Sequence, residues 1–170
     1  EGVIQGWELA ARWQFATDWA LRGNYTLTDS EQKSGEEKGL PLGNAAKHMA
    51  NITLDWQIVE RFNMFLTTEM RGDRYRGLHV ITDEKLYYKD YAIMHLGASF
   101  KANDNVTFNF RINNFLDQDF TDYKTEFRDI DGDGNYVNNN ANGNNEVLFF
   151  DDYNNKEKRR SLWAGINVKF

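Results

Sequence analysis

The fold is decided by the stretch SLWAGINVKF, residues 161–170. Every second residue in it is apolar and the residues between are mostly small or polar, which is typical of a β-strand whose two faces meet different surroundings. Chain termini usually fray, so we predict that a neighbouring strand holds this one along its whole length. The alternating apolar residues are Leu162, Ala164, Ile166, Val168 and Phe170.

The composition excludes several classes of protein. With no cysteine among its 170 residues, the chain has no disulfide framework and no thiolate metal site. A formal charge of −6 argues against nucleic acid as a partner, because nucleic acid requires a basic surface. No catalytic constellation is visible, so we predict that the chain is not an enzyme. No apolar run is long enough for a transmembrane helix, but a transmembrane strand needs only alternate apolar residues.

Six further segments show the same alternation as residues 161–170. We therefore predict an all-β, antiparallel, up-and-down meander of about seven strands. Its short connections alternate with long polar ones at residues 30–47, 77–90 and 117–158. Outer-membrane barrels have short turns at one end and long external loops at the other, so the pattern predicts a segment of a transmembrane β-barrel. The six segments are residues 3–15, 19–28, 48–58, 62–71, 92–101 and 106–113.

Large aromatic residues on the apolar side of these segments gather near the short-turn end, as an interfacial girdle requires. The opposite side carries many charges, and burying them in a small core would cost several kcal/mol each unless every one were paired. We therefore predict that the apolar side meets lipid and the charged side meets a wet lumen. A soluble β-sheet with an aromatic core is the alternative. The girdle residues are Trp13, Phe15, Trp19, Trp56, Phe62, Phe100, Phe108 and Phe170.

Four stretches give the chain a resemblance to a known family. They are GWELAARWQFATDWALRGNYTLTDSEQKSGEEKGLPL (6–42), KHMANITLDWQI (47–58), NNFLDQDFTDY (113–123) and the terminal SLWAGINVKF. In combination they resemble the C-terminal third of the barrel of TonB-dependent receptors, close to the catecholate siderophore receptors and the colicin I receptor. The resemblance implies a barrel of about 22 strands with an N-terminal plug. Neither the plug nor a TonB-binding segment lies in these 170 residues.

The same resemblance implies what the whole protein does. It would be an outer-membrane transporter of a Gram-negative bacterium that binds and imports ferric siderophores of the catecholate type, with energy from the TonB complex acting through the plug. Phe170 and the alternating apolar residues before it would be the signal that the barrel assembly machinery reads. The other implied partners are the remainder of the barrel, outer-membrane lipid and lipopolysaccharide, and a colicin or phage. The ferric siderophore would be the transported ligand, and no resident cofactor is required.

The segment DIDGDGNYVNNN, residues 129–140, matches the first half of an EF-hand calcium loop. Asp129, Asp131, Asp133 and Asn135 supply oxygen ligands at alternate positions, which suits a hard cation such as calcium. The twelfth position is Asn140 instead of the bidentate glutamate. The segment therefore predicts a weak calcium site in an external loop, with a plain turn as the alternative.

An anionic ferric catecholate would be bound by cations and aromatic rings of the long loops. Two other functions stay open. One is a passive structural or adhesive outer-membrane barrel with a calcium-ordered loop, and the other is a soluble calcium-binding β domain. The candidate ligand-binding residues are Arg74, Arg76, Lys85, Tyr87, Tyr88, Lys124 and Arg128.

Overall fold

The computed structural model describes residues 1–138, 145–153 and 159–170. No helix in these residues is long and apolar enough to cross a membrane. Asn140, the last position of the predicted calcium loop, lies outside the described residues. The strands are β1 (Gly2–Ala16), β2 (Trp19–Gln32), β3 (His48–Val59), β4 (Phe62–Arg71), β5 (Arg74–Leu78), β6 (Lys85–Tyr88), β7 (Tyr91–Lys101), β8 (Val106–Asn113), β9 (Tyr123–Phe127), β10 (Val147–Asp151) and β11 (Ser161–Val168).

The seven long alternating segments form one antiparallel sheet in the order β1-β2-β3-β4-β7-β8-β11. The predicted all-β meander is therefore confirmed. The last strand is shorter than predicted, because β11 ends at Val168 and Phe170 lies beyond it. Lys169 still donates its backbone N–H to the carbonyl of Asn105, at 2.8 Å. Strands β1 and β11 are the two edges of the sheet, so these seven strands do not close a barrel on their own.

One row of large apolar residues crosses all seven strands in register. Each member lies directly opposite the next across a strand pair, where side chains are close enough to pack. We call the face that carries this row the outer face, and the opposite face the inner face. The row consists of Trp13, Leu21, Leu54, Leu66, Leu96, Ile112 and Leu162.

Burial on the sheet is the reverse of that in a water-soluble protein. On the outer face, Trp13 is 65% exposed and Ile166 is 62% exposed. On the inner face, His95 and Thr53 are buried, and both lie in register with Thr67 of β4, which stands between them. The alternative of a soluble sheet with an aromatic core is therefore not supported. A sheet that exposes its apolar residues and encloses its polar ones suits a hydrocarbon exterior.

Aromatic rings follow the outer face near the tight turns. Trp19 and Trp56 stack with their ring centroids 4.8 Å apart. Phe15 continues the series, with its ring 6.4 Å from Trp19 and 5.4 Å from Trp13. Large amphipathic rings at one depth are typical of the boundary between lipid and water. This end of the sheet has the chemistry of a membrane interface.

The tight turns are tied to the strands beside them by backbone hydrogen bonds. Gln57 donates its N–H to the carbonyl of Asp18 in the first turn, at 2.8 Å. Lys101 donates in the same way to Arg61 in the second turn, at 2.8 Å. The bond from Lys169 to the third turn repeats the arrangement. Each short turn is therefore connected to the neighbouring hairpin.

Two of the long connections are folded, which the sequence analysis did not predict. Strands β5 and β6 pair as a hairpin that occupies most of the second connection. Strands β9 and β10 pair as a second hairpin inside the third connection. Both hairpins stand at the end of the sheet opposite the tight turns, which we call the loop end.

Candidate functional site at the loop end

A single carboxylate joins the two hairpins of the loop end. Glu126, on β9, accepts from Arg76 of β5 at 3.3 Å and from Arg128 at 3.1 Å. Its second oxygen lies 3.2 Å from Nε2 of His79. Burial opposes ionisation of this carboxylate, but the hydrogen bonds from Arg128 and Arg76 outweigh burial. The pKa of Glu126 therefore lies below its usual value.

His79 completes this cluster, and both of its ring nitrogens have partners. Its Nδ1 accepts the backbone N–H groups of Ile81 and Thr82, both at 3.3 Å, so it carries no proton. With Nδ1 as the acceptor, Nε2 is the nitrogen that donates to Glu126, at 3.2 Å. The imidazole thus connects the turn of the β5–β6 hairpin to β9.

Arg76 also contacts an aromatic ring across the hairpin interface. Its guanidinium carbon lies 3.5 Å from the ring centroid of Phe150, on β10. A guanidinium over an aromatic face is attracted by the ring quadrupole. The Arg76 side chain is therefore held by a carboxylate and a ring at once.

Arg74 lies beneath the hairpins and is only 2% exposed. Its guanidinium donates to the backbone carbonyls of Lys89, at 3.4 Å, and Tyr153. It also lies 5.6 Å from the ring centroids of Tyr88 and Tyr91. This arrangement differs from the prediction of a ligand-contacting cation, because the side chain is enclosed and joins three parts of the loop end.

A second charge cluster holds the base of the β9–β10 hairpin. Lys89 lies 2.8 Å from a carboxylate oxygen of Asp122 and 2.8 Å from one of Asp152. Lys124 lies 3.0 Å from Asp152. The hydrogen bonds to Asp122 and Asp152 raise the pKa of Lys89 well above its usual value. Lys124, another predicted ligand cation, is therefore also engaged within the protein.

Arg159 closes the third connection just before β11 begins. Its guanidinium donates to both oxygens of Asp117, at 3.1 and 2.8 Å, and to Asp119 at 3.0 Å. The backbone N–H of Arg160 adds a bond to Asp117 at 2.9 Å. The Arg159 bonds, followed by the Arg160 bond, hold the pKa of Asp117 well below its usual value.

The remaining predicted ligand residues differ in exposure. Lys85 and Tyr87 are exposed on β6, and the Tyr87 ring meets Tyr75 edge to face at 5.9 Å. Tyr88 lies against Arg74, and Arg128 is 8% exposed in the Glu126 cluster. The structure thus brings Arg76 and Arg128 together around Glu126. Their contact with a ligand stays a prediction.

The predicted calcium ligands lie close together. Carboxylate oxygens of Asp129, Asp131 and Asp133 are all within 4.8 Å of one another, a spacing that one cation could bridge. Asn135 donates its N–H to Asp133 at 2.7 Å. Burial, together with the neighbouring carboxylates, raises the pKa of Asp131. The residue types fit calcium, but exposed acidic groups also cluster without a metal, so the calcium site stays a prediction.

Four of the five residues of the predicted assembly signal lie on the outer face of β11, and Phe170 follows the strand. Leu162 and Ala164 are exposed there and pair with Ile112 and Phe110 of β8. Ile166, Val168 and Phe170 are also exposed. Their reading by the assembly machinery stays a prediction.

Sequence reasoning missed Glu126, His79 and Glu146. Glu146 is fully buried, and its two oxygens accept the N–H groups of Ile130 at 3.0 Å and Val137 at 3.2 Å. The short alternation YKTEF at residues 123–127 is a weak strand signal that would have placed Glu126 on a hairpin face. Nothing in the sequence indicates the backbone partners of Glu146.

An antiparallel sheet with an apolar exterior, tight turns at one end and folded loops at the other defines an outer-membrane β-barrel protein. The sequence of residues 1–115 matches the family described as TonB dependent receptor-like, beta-barrel. The chain belongs to this family. Membership places it in the outer membrane of a Gram-negative bacterium. Because the family consists of receptors, the prediction that the chain is not an enzyme is confirmed.

Known proteins resemble the chain over part of their length. The iron-regulated outer membrane virulence protein of Vibrio cholerae serotype O1 is 30% identical over 99 residues, which are 58% of this chain and 15% of the relative. The chain superposes over 99% of its length on a mutant of the ferric enterobactin receptor PfeA from Pseudomonas aeruginosa, with TM-score 0.65 and 21% identity. It superposes equally far on the siderophore receptor PiuA from Acinetobacter baumannii, with TM-score 0.58 and 17% identity. It covers 22% of each solved chain.

Proposed function

We propose that this chain forms the C-terminal part of the barrel of a TonB-dependent transporter that imports ferric siderophores of the catecholate class. The supporting observation is the loop end, where two hairpins carry cations and aromatic rings above a sheet that belongs to the barrel of this family. The V. cholerae relative is described as iron-regulated. The remainder of the barrel, a plug and the TonB complex would complete the transporter, and the barrel assembly machinery would insert it.

The proposed orientation places the loop end outside the cell. The tight turns then lie at the periplasmic side, as in other outer-membrane barrels. The loop end would be the surface that a siderophore, a colicin or a phage meets first. In this arrangement Asp117 and Asp119, which Arg159 holds, would also lie on the outside.

We assign the seven candidate residues to two roles according to their contacts. Five of them are engaged with protein groups and would position the hairpins: Arg74, Arg76, Tyr88, Lys124 and Arg128. Lys85 and Tyr87 are exposed on β6 and would contact the ligand. A ferric catecholate complex carries negative charge and aromatic rings, so a lysine and a tyrosine edge are complementary to it.

Binding and uptake of ferric enterobactin by iron-starved cells test the proposal. Cells that lack the gene would carry the full-length receptor, its Lys85→Ala/Tyr87→Ala variant, or Lys38→Ala as a control in the first long connection. We expect the double variant to bind ferric enterobactin roughly tenfold more weakly, equivalent to about 1.4 kcal/mol. The control should match the unmodified receptor.

Three results would count against parts of the proposal. Import of ferric citrate instead of ferric enterobactin would refute the catecholate class but retain iron transport. Absence of any iron uptake by the unmodified receptor would refute transport. Equal binding by the double variant and the control would remove Lys85 and Tyr87 from the ligand site.

A further inference from the structure

Two recesses on the inner face meet at a pair of arginines. The smaller recess, next to the tight turns, has a volume of about 370 Å³, and the larger one, towards the loop end, about 520 Å³. Arg12 of β1 and Arg22 of β2 line both recesses. The two residues lie directly opposite each other in register. The recesses therefore form one polar groove that passes both guanidinium groups.

The two arginines carry more positive charge than the strands around them neutralise. Like charges directly opposite each other across a strand pair are destabilising. Arg22 has a counter-ion, because its Nε lies 3.0 Å from a carboxylate oxygen of Asp55. Arg12 is exposed and, in the part of the chain that the structure describes, forms no ion pair. The Arg12 guanidinium is therefore available to an anion from outside these strands.

The larger recess is built from hydrogen-bond donors. Asn24 and Asn51 lie opposite each other in register and line it, and Ala10 lies opposite Asn24. The small side chain of Ala10 leaves space beside Arg12, and amide and guanidinium N–H groups can donate into that space. The described residues that line this recess include no carboxylate, whereas two aspartates line the smaller one. The larger recess therefore suits a negatively charged group with several oxygen acceptors.

The position of the recess separates it from the loop end. Arg22 is the fourth residue of β2, which begins at the first tight turn. A ligand that is imported from the loop end passes along the inner face before it reaches the tight turns. The volume of the recess also lies within the range of about 300–1,000 Å³ that is typical of small-molecule pockets.

We propose that the larger recess is a transit subsite, which receives the anionic iron chelate after the chelate has left the loop end. The Arg12 guanidinium donates to a negatively charged oxygen of the chelate, and Asn24 and Asn51 donate further hydrogen bonds. Because Arg12 is exposed to water, the contact is weak enough to be released again. The inference rests on the proposed function and adds a second binding position for the same ligand.

Arginine footprinting of the full-length receptor in iron-starved cells tests the inference. A short pulse of phenylglyoxal modifies accessible guanidinium groups, and mass spectrometry of the digested receptor reports each arginine separately. Arg12 should react readily without ligand and at least twofold more slowly during import of saturating ferric enterobactin. Arg111, which is exposed on the inner face of β8, serves as the internal control and should react equally under both conditions.

Uptake kinetics of three variants give a second readout. Arg12→Gln should lower the maximal uptake rate roughly fivefold and leave the affinity at the loop end unchanged, whereas Arg12→Lys, which keeps the charge, should retain at least half of the rate. Arg111→Gln is the matched control and should transport normally. An unchanged rate in Arg12→Gln, or an equal loss in Arg111→Gln, would overturn the proposal. Heat-modifiable gel migration shows whether each variant has folded, and the footprint of the unmodified receptor decides the question if Arg12→Gln has not.

The remaining outcomes separate the subsite from the proposed function. Arg12 that is unreactive without ligand would show that the plug already covers the recess, which overturns the proposal. Uptake without protection of Arg12 refutes the subsite alone. Protection of Arg12 without uptake refutes transport and retains the recess as a chelate site, and the absence of both refutes both.

Discussion

Replacing Glu126 by glutamine keeps the shape of the side chain and removes its charge. The change leaves three groups without their shared carboxylate: Arg76, Arg128 and His79. The side chain of Arg128 is 9% exposed and that of Arg76 15% exposed, so water replaces the lost partner only in part. Glu126→Gln should therefore weaken the contact between the β5–β6 and β9–β10 hairpins.

The size of the effect follows from burial. Breaking a buried ion pair by removing one partner costs about 3–5 kcal/mol. Because the glutamine oxygen still accepts one hydrogen bond and the cluster is partly exposed, we take about 3 kcal/mol, at the lower end of the range given for buried pairs. This corresponds to a shift of roughly a hundredfold in the equilibrium between docked and undocked hairpins, at about 1.4 kcal/mol per factor of ten.

Hydrogen–deuterium exchange of the full-length receptor measures this shift. Peptides that cover residues 74–88 and 123–127 should exchange roughly a hundredfold faster in Glu126→Gln, since exchange through local opening follows the opening equilibrium. Peptides from β7 and β8 should not change. The control is Glu84→Gln, an exposed glutamate in the turn of the β5–β6 hairpin. Equal exchange by the two variants in residues 74–88 would refute the structural role of the shared carboxylate.

Three further outcomes are expected. Gly97→Ala would place a Cβ 2.1 Å from the ring of Phe65, so heat-modifiable migration should be lost at a lower temperature, for a cost of about 1–3 kcal/mol, and Phe65→Leu should restore it. Calorimetric titration of the full-length receptor with calcium chloride should give heat at concentrations on the order of millimolar, which Asp131→Ala abolishes. The chain around Asp117 should resist pepsin cleavage until the pH falls well below the usual carboxylate pKa of about 3.9. The reason is that the pKa of Asp117 is lowered, so its ion pair with Arg159 is lost only as the pH falls through that lowered value.

Each of these outcomes has its own contradicting result. Unchanged heat stability of Gly97→Ala would show that the ring moves aside without cost. Equal calcium heat for Asp131→Ala and the unmodified receptor would end the calcium prediction. Asp117→Asn should be cleaved at every pH at which pepsin is active. If this variant resists cleavage as well as the unmodified receptor does, the Asp117–Arg159 pair is not the cause of the resistance.

The strands of the sheet could be predicted because their surroundings impose a regular pattern. Lipid on one side and water on the other make every second residue of a strand apolar. The apolar residues of neighbouring strands then meet in register, as Leu54 and Leu66 do. The two hairpins could not be predicted in this way. Strand β6 is only four residues long, KLYY, and both faces of a loop hairpin meet protein or water, so no single alternation marks it.

The roles of the loop cations were beyond sequence reasoning for a different reason. Arginine side chains are usually exposed, but Arg74 is buried and donates to the carbonyls of Lys89 and Tyr153. Both partners lie further along the chain, so the sequence around Arg74 does not reveal them. Glu126 was overlooked because a carboxylate among many has no distinguishing neighbour. Only the folded hairpins bring it to three cationic or proton-donating side chains.

The backbone bonds from Gln57, Lys101 and Lys169 to the tight turns have a mechanical consequence. Each bond couples one pair of strands to the next, so the sheet spreads at its tight-turn end only if such a bond breaks. At the loop end, backbone bonds such as those from Asn44 to the Tyr75 carbonyl and from Lys89 to the Asp152 carbonyl, both at 2.8 Å, are supplemented by side-chain pairs, which exchange partners more easily than a backbone ladder. Sideways spreading of these strands is therefore resisted at every step along the tight-turn end, whereas movement at the loop end can begin by exchange of side-chain partners.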